Sequence, residues 1–285
     1  MHIRQILAFA VASFAALSLV ACGADSGTPG TSEAPTKPLR VMADVIPHSE
    51  LIKEAEKLGL LGDVKVEITE ISAQVDANQL VNEGDLDANF FQHVPYLDDW
   101  NANHAGADLV PVATVHVEPL GLYSKKVDDL KDVPENAVIA IPSDATNQAR
   151  ALFLLEDAGL LALDVDRTDA DLDYSQVTPK NVKTNEKNIS FVEIDRPQLA
   201  ASLDDPKVNL SIINGNYALE ANLVPSEDAL FLETAADNPY ANVLVVKETM
   251  KDDPRVVALA KALESDELAQ FITDNYQGSV IPAVR

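Results

Sequence analysis

Ile141 to Arg150 reads IPSDATNQAR. An apolar strand, Ala137 to Ile141, runs into Pro142-Ser143-Asp144-Ala145, a cluster of turn formers. A helical pattern then starts near Thr146 and continues to Ala158, where Gly159 closes it. Strand, tight turn and helix make one α/β unit, and the same unit recurs on both sides. Upstream, Leu39–Ile46 reads as a buried strand and Pro47–Leu60 as a helix with Ser49 at its N-cap. Val64–Ile71 alternates with period two, Asp76–Glu83 is a short helix, Ala88–Gln92 a strand and Pro95–Ala105 a helix. Leu109–Tyr123 is extended and broken at Pro119. Downstream come a strand at Ile189–Ile194, a helix at Pro197–Leu203, a strand at Leu210–Asn214 and a helix at Asn216–Ala221. Another strand follows at Asn242–Val246, then a long helical region from Pro254 to Tyr276. Asp164–Lys187 is polar and aperiodic and reads as a loop-rich excursion. Alternating strands and helices predict parallel sheets with helices on both faces, and two successive rounds predict two lobes. Ligands in such sheets bind beyond the carboxyl ends of the strands. This directs attention to the loops after Ile46, Ile141 and Asn214 and to Phe90–Tyr96.

The front of the chain has a different character. A short basic patch (His2, Arg4) precedes an apolar run from Ile6 to Ala21, which is short for a membrane span and laid out like a signal peptide. Leu19-Val20-Ala21-Cys22 resembles the lipobox of bacterial lipoproteins, and Cys22 is the sole cysteine. The expectation is a signal peptide over 1–21 and lipid attachment at Cys22. Residues 22–37 (CGADSGTPGTSEAPTK) are too polar to bury a core and read as a flexible linker to the membrane. Roughly 250 residues remain for a folded body, enough for two moderate lobes. The boundaries expected are 38–124 with 241–285 for the first lobe and 125–240 for the second. A formal charge of −25 repels nucleic acid and anionic lipid, so nucleic-acid binding is excluded as a function class.

Three stretches carry candidate chemistry. In the opening one, the first N–H groups of the helix are unpaired and attract an anion. Arg150 opposes the helix dipole there. Two readings are open: a bidentate carboxylate partner belonging to a ligand, or a surface acid such as Glu156 or Asp157. In DANFFQHVPYL (Asp87–Leu97), Phe90, Phe91, His93 and Tyr96 crowd one short segment of a chain poor in aromatics. They form either core or the wall of a cleft. In SIINGNYA (Ser211–Ala218) and NPYANVLVV (Asn238–Val246), Asn214 and Asn242 sit at strand ends. They are either plain turn residues or fixed donors and acceptors for a zwitterion. Enzyme chemistry finds no support: there is no nucleophile elbow, phosphate-cradling loop or zinc-spaced cysteine pair. His116 and Glu118, with His48 and His93, form an alternative set with the donors of a metal site.

At these residues the chain resembles the NlpA family of lipoproteins, the substrate-binding components of methionine ABC importers. DANFFQHVPYL, VEPLGLYSKK, IPSDATNQARALFLLEDAGL and NPYANVLVV carry the resemblance, in matching order from about Leu39 to Tyr276. It implies a two-lobe periplasmic-binding fold (type II) with the ligand in the inter-lobe cleft, and delivery to a membrane permease driven by a cytoplasmic ATPase. No enzyme activity and no cofactor are implied. Residue by residue, it assigns the ligand carboxylate to Arg150 with Asn147. Asn214 and Asn242 hold the ammonium and carboxylate ends. Phe91, His93 and Tyr96 wall the thioether, Asn78 lies in a matching helix start, and Glu118 faces the ammonium. Three positions depart from the family pattern, Gln74 where an aromatic is usual, Ala77 where a proline is usual, and Ile46 where a glycine is usual before Pro47-His48. They leave the backbone clamp intact and the side-chain pocket open. The cargo implied is methionine, a methionine derivative or methionyl peptide, or another apolar amino acid.

Overall fold

The structure is a computed structural model, and it describes residues 37–71, 75–169, 172–236 and 238–283. The expected signal peptide, Cys22 and nearly all of the linker lie outside the described residues, as does Gln74. From Leu39 onward the chain runs β1 (Leu39–Ala43), α1 (Glu50–Lys57), β2 (Val66–Glu70), α2 (Ala77–Glu83), β3 (Ala88–His93), α3 (Val94–Asn103) and β4 (Leu109–Val117). It then passes to a second group: β5 (Gly121–Tyr123), β6 (Val138–Pro142), α4 (Ala145–Asp157), and a small ribbon of β7 (Ala162–Leu163) and β8 (Val182–Thr184). This group continues through β9 (Ser190–Ile194), α5 (Leu199–Ser202), β10 (Leu210–Ile213), α6 (Gly215–Glu220), α7 (Pro225–Asp228) and β11 (Phe231–Leu232). The chain ends with β12 (Asn242–Lys247), α8 (Pro254–Leu263), α9 (Asp266–Tyr276) and β13 (Ile281–Pro282).

Two principal sheets result. The first has the order β13-β4-β12-β3-β1-β2, the second β11-β5-β10-β6-β9. The chain therefore enters the second sheet at Gly121 and returns to the first at Asn242. The mixed α/β architecture with two sheets is the one the alternation predicted. The expectation of parallel sheets needs correction. β1 pairs in parallel with β2 and β3, and β6 with β9 and β10. By contrast, β12 is antiparallel to both β3 and β4, and β5 is antiparallel to β10 and β11. The reason is topological: β12 comes back from the second sheet and inserts between two strands of the first, running against them. Its buried, continuous apolar sequence suits a central strand.

Local chemistry sets the element ends. Asp76 accepts from the Gln79 N–H at the start of α2, and Gly84, at φ 85°, stops that helix in a conformation only glycine adopts freely. The long C-terminal helical pattern is two helices, because Ser265 turns out of the first and caps the second through the Leu268 N–H. α4 is buried from Thr146 to Leu155, since it packs its apolar side on the second core while its polar side faces the junction of the sheets. Phe90 is fully buried in the first core with Leu39, Val41 and Leu244. Phe91, one residue later, points the other way.

Candidate functional site

The carboxyl ends of the strands bring a set of polar side chains together at the junction. Asp44 follows β1, His93 ends β3, His116 and Glu118 lie at the end of β4, Asn147 and Arg150 come from α4, Asn214 follows β10, and Asn242 begins β12. All are buried. The register sets Asn242 opposite both His93 and His116.

Arg150 stands in the second turn of α4, further along than the sequence suggested. Its guanidinium meets a bidentate carboxylate, and the protein supplies it. Nε donates to Glu233 Oε1 at 2.9 Å, Nη2 donates to Glu233 Oε2, and Nη2 also donates to the Glu118 carbonyl at 2.8 Å. Tyr240 lies against the guanidinium, 4.5 Å from ring centre to Cζ. Burial opposes this cation, yet Glu233 holds its pKa above the usual value. The surface acids considered for Arg150, Glu156 and Asp157, instead pair with Arg167. The anion-binding helix start is likewise filled from within. Asp144 caps α4, accepting from the Asn147 N–H at 3.1 Å and from Asn147 Nδ2 at 2.8 Å.

Asn147 Oδ1 receives Asn214 Nδ2 at 2.8 Å and faces His93 Nε2 at 3.3 Å. His93 Nδ1 accepts the Tyr96 N–H, so its proton sits on Nε2. Asn214 Oδ1 is buried and has no hydrogen-bond partner among the described residues, as is the Tyr240 hydroxyl. Such groups are costly to bury unless something satisfies them. Glu118 forms the other half of the cluster. Its Oε1 accepts from His116 Nε2 at 2.8 Å and lies 3.4 Å from His48 Nε2, and its Oε2 accepts the Asn216 N–H at 3.0 Å. Burial works against its charge, but His48 and the His116 N–H bring its pKa below the ordinary range. Gly215 makes this approach possible: a Cβ there would lie 2.9 Å from the Glu118 Cβ. His48 Nε2 also meets Asn242 Oδ1 at 3.2 Å.

Phe91 and Tyr96 line a cavity of about 650 Å³ that opens beside this cluster, with Asp44, Asp144, Arg196 and Tyr217 on its other sides. Asn78 is placed differently from the residues around Arg150. Its amide is consumed by Asn89 and Gln92 in a closed network (2.6–2.9 Å). Ala77, beside it, reaches the cavity wall. Sequence reasoning missed Glu233, Tyr240 and Asp144. Tyr240 lay inside the quoted NPYANVLVV, and Asp144 is a plain N-cap signal before a helix. Glu233 follows a two-residue strand that has no periodic signature.

The alternative metal set comes only partly together. His48, His116 and Glu118 offer ligand atoms within 4.8 Å of one another, without His93. They do not fit a metal. Both histidines turn Nε2 toward the carboxylate, and among the described residues their buried Nδ1 atoms have no partner. A metal-bound histidine almost always donates its other ring N–H to a partner that fixes the ring, and neither Nδ1 here has one among the described residues.

Burial of these groups predicts a pH dependence. His48 is pushed down to about 4 and His93 to about 3, both first by burial, and Arg150 adds to the shift of His93. Their contribution to stability is full above the unfolded value near 6.5 and is lost as pH falls. Asp44 is pushed up to about 7 by burial, so its contribution is lost as pH rises through that value. Near pH 5 the unfolded chain thus holds two extra histidine protons and the folded chain one extra aspartate proton. Stability should rise with pH by about 1.4 kcal/mol per unit between roughly pH 5 and 6. Urea unfolding at several pH values reads this slope. A flat or falling profile would mean that the histidines are charged in the folded protein.

Two sheets crossed twice by the chain, with a cavity and a buried polar cluster at the crossing, define the class of two-lobe solute-binding proteins. A nutrient-binding protein from Burkholderia cenocepacia, solved bound to methionine, superposes with a TM-score of 0.78 at 36% identity, over 86% of this chain and all of that one. The methionine-binding lipoprotein MetQ of Bacillus subtilis is 34% identical over 266 residues, 93% of each chain. The D-methionine-binding lipoprotein MetQ of Escherichia coli is 33% identical over 283 residues, 96% of this chain and 99% of its own. The NlpA lipoprotein profile matches residues 39–284, and the chain belongs to that family.

Proposed function

We propose that this chain is the binding component of an ABC importer, and that its cargo is methionine or a closely related amino acid. The observation that carries this reading is the buried, convergent set of Arg150, Asn147, Asn214 and His93, in which Asn214 Oδ1 has no partner among the described residues. Relatives spanning nearly the whole chain are named for methionine or D-methionine, which leaves the stereochemical preference to experiment. In this reading the carboxylate meets the Nη1 edge of Arg150, which the bonds to Glu233 and Glu118 leave aside. Asn214 Oδ1 accepts from the ammonium, with Asn242 nearby, and Phe91, His93 and Tyr96 face the side chain. Glu118 and Asn147 hold these groups in place, and Asn78 braces the wall behind Ala77. Affinity comes from burying one small zwitterion with its charges matched, and no bond is broken.

The lobes are residues 38–124 with 241–285, and 125–240, hinged where the chain crosses between the sheets. Cys22 carries the lipid anchor, the linker holds the body on the extracytoplasmic side, and a permease with its ATPase receives the cargo. Calorimetric titration with methionine tests the reading. One site per chain is expected, and no detectable heat at millimolar ligand would overturn it.

A further inference from the structure

The chain crosses between the two sheets over residues 118–120 and again over 233–241, and Arg150 of α4 is bonded to both crossings. On the first, the Glu118 carbonyl accepts from Nη2 at 2.8 Å. On the second, the two carboxylate oxygens of Glu233 take Nε and Nη2, and Tyr240 covers the guanidinium face. Glu233 also bonds the crossings to each other. Its Oε2 accepts the Leu120 N–H at 3.1 Å, and its own N–H donates to the Leu120 carbonyl at 2.9 Å. The acid is thus fixed by backbone before it meets the arginine. A guanidinium carries its donors in one rigid plane, so two bonds along one edge set where the remaining edge points. Without Glu233, the described residues would give Arg150 one hydrogen bond, from the Glu118 carbonyl, and one ring face. Neither stops the plane from turning on itself. Charge alone does not account for Glu233, because neutralising Arg150 weakens its pull on a ligand carboxylate. What Glu233 adds is direction.

We infer that Glu233 is a positioning residue, which aims the Nη1 edge of Arg150 at the ligand's carboxylate and ties that aim to both crossings. The inference rests on the proposed amino-acid site. It makes the preference for a free carboxylate depend on the reach of an acid that touches no ligand atom. Glu233 is half-buried and lines a separate cavity of about 300 Å³ with Phe153 and Tyr174, so water can enter the space that a shorter side chain vacates, and its variants should fold.

The test is the ratio of affinities for methionine and methionine methyl ester, measured by calorimetry on the intact protein with both amines protonated. Two pairs of proteins change the reach of residue 233 at constant charge. Glu233→Asp keeps the charge of the native side chain, and Glu233→Ala is neutral like Glu233→Gln, which retains an acceptor oxygen at full length. Within each pair the shorter side chain should lower the acid-to-ester ratio by about 10-fold, as expected when hydrogen bonds to a charged group are lost, and move ester affinity by less than about 3-fold. A role in neutralisation alone would leave the ratio equal within each pair, and that result would overturn the inference. So would equal losses for acid and ester, which a merely structural role produces. Should Glu233→Ala fail to fold, Glu233→Asp against the native protein decides by the same criterion. A native protein that binds neither ligand would overturn the amino-acid reading, and the inference with it.

Discussion

Arg150→Ala is expected to weaken methionine binding by roughly 30- to 150-fold, about 2–3 kcal/mol. A carboxylate brought into a cluster this buried needs a cation within reach, and Arg150 is the one that the crossing of the sheets positions. Glu233 does not compete for the whole guanidinium. It holds Nε and Nη2 and, by also accepting the Leu120 N–H at 3.1 Å, fixes the arginine to the crossing segment. With Arg150 gone, Glu233 is left as a half-buried acid facing the incoming carboxylate, which adds to the loss. It also lowers stability, so the double variant Arg150→Ala, Glu233→Gln is the necessary partner experiment. That variant should regain thermal stability without regaining affinity. Unchanged calorimetric affinity in Arg150→Ala would remove the residue from the site.

Glu118→Ala is expected to cost about 3–5 kcal/mol of folding stability, because it strips a charged acceptor from buried donors, at about 1.5–3 kcal/mol for each hydrogen bond to a charged group. Its two oxygens serve His116, His48 and the Asn216 N–H, which belong to elements of both sheets. Alanine leaves the His116 Nε2–H and the Asn216 N–H buried without that acceptor, and His48 with Asn242 Oδ1 alone. Glu118→Gln keeps one acceptor oxygen and should cost about 1–3 kcal/mol. Urea unfolding of the two variants checks the order. Equal, small losses would show that water reaches and satisfies the three donors.

Much of this arrangement was legible in the residues. Period-two and helical patterns gave the strands and helices around Ile141–Arg150, while the rings of DANFFQH were open between core and cleft wall, and the structure puts Phe90 in the core and Phe91 at the cavity. The direction of β12 was not legible, because periodicity reports which face is buried and says nothing about which neighbour a returning strand meets. The same limit hid Glu233. A lone acid after a two-residue strand carries no local signal, and its pairing with Arg150 exists only across 83 residues of chain. Asn78 shows the converse error. A helix-start amide looked available for a ligand, but tertiary packing supplied Asn89 and Gln92 to satisfy it.

The claim at the centre is that the cluster around Arg150 recognises the charged ends of one small amino acid. Titration of the native protein with methionine and with methionine methyl ester, at a pH where the amine of both is protonated, tests it most directly, because the ester loses the carboxylate charge and keeps the thioether side chain. Binding of the acid with the ester weakened by roughly 100-fold is expected. Equal affinity for the two would contradict the account.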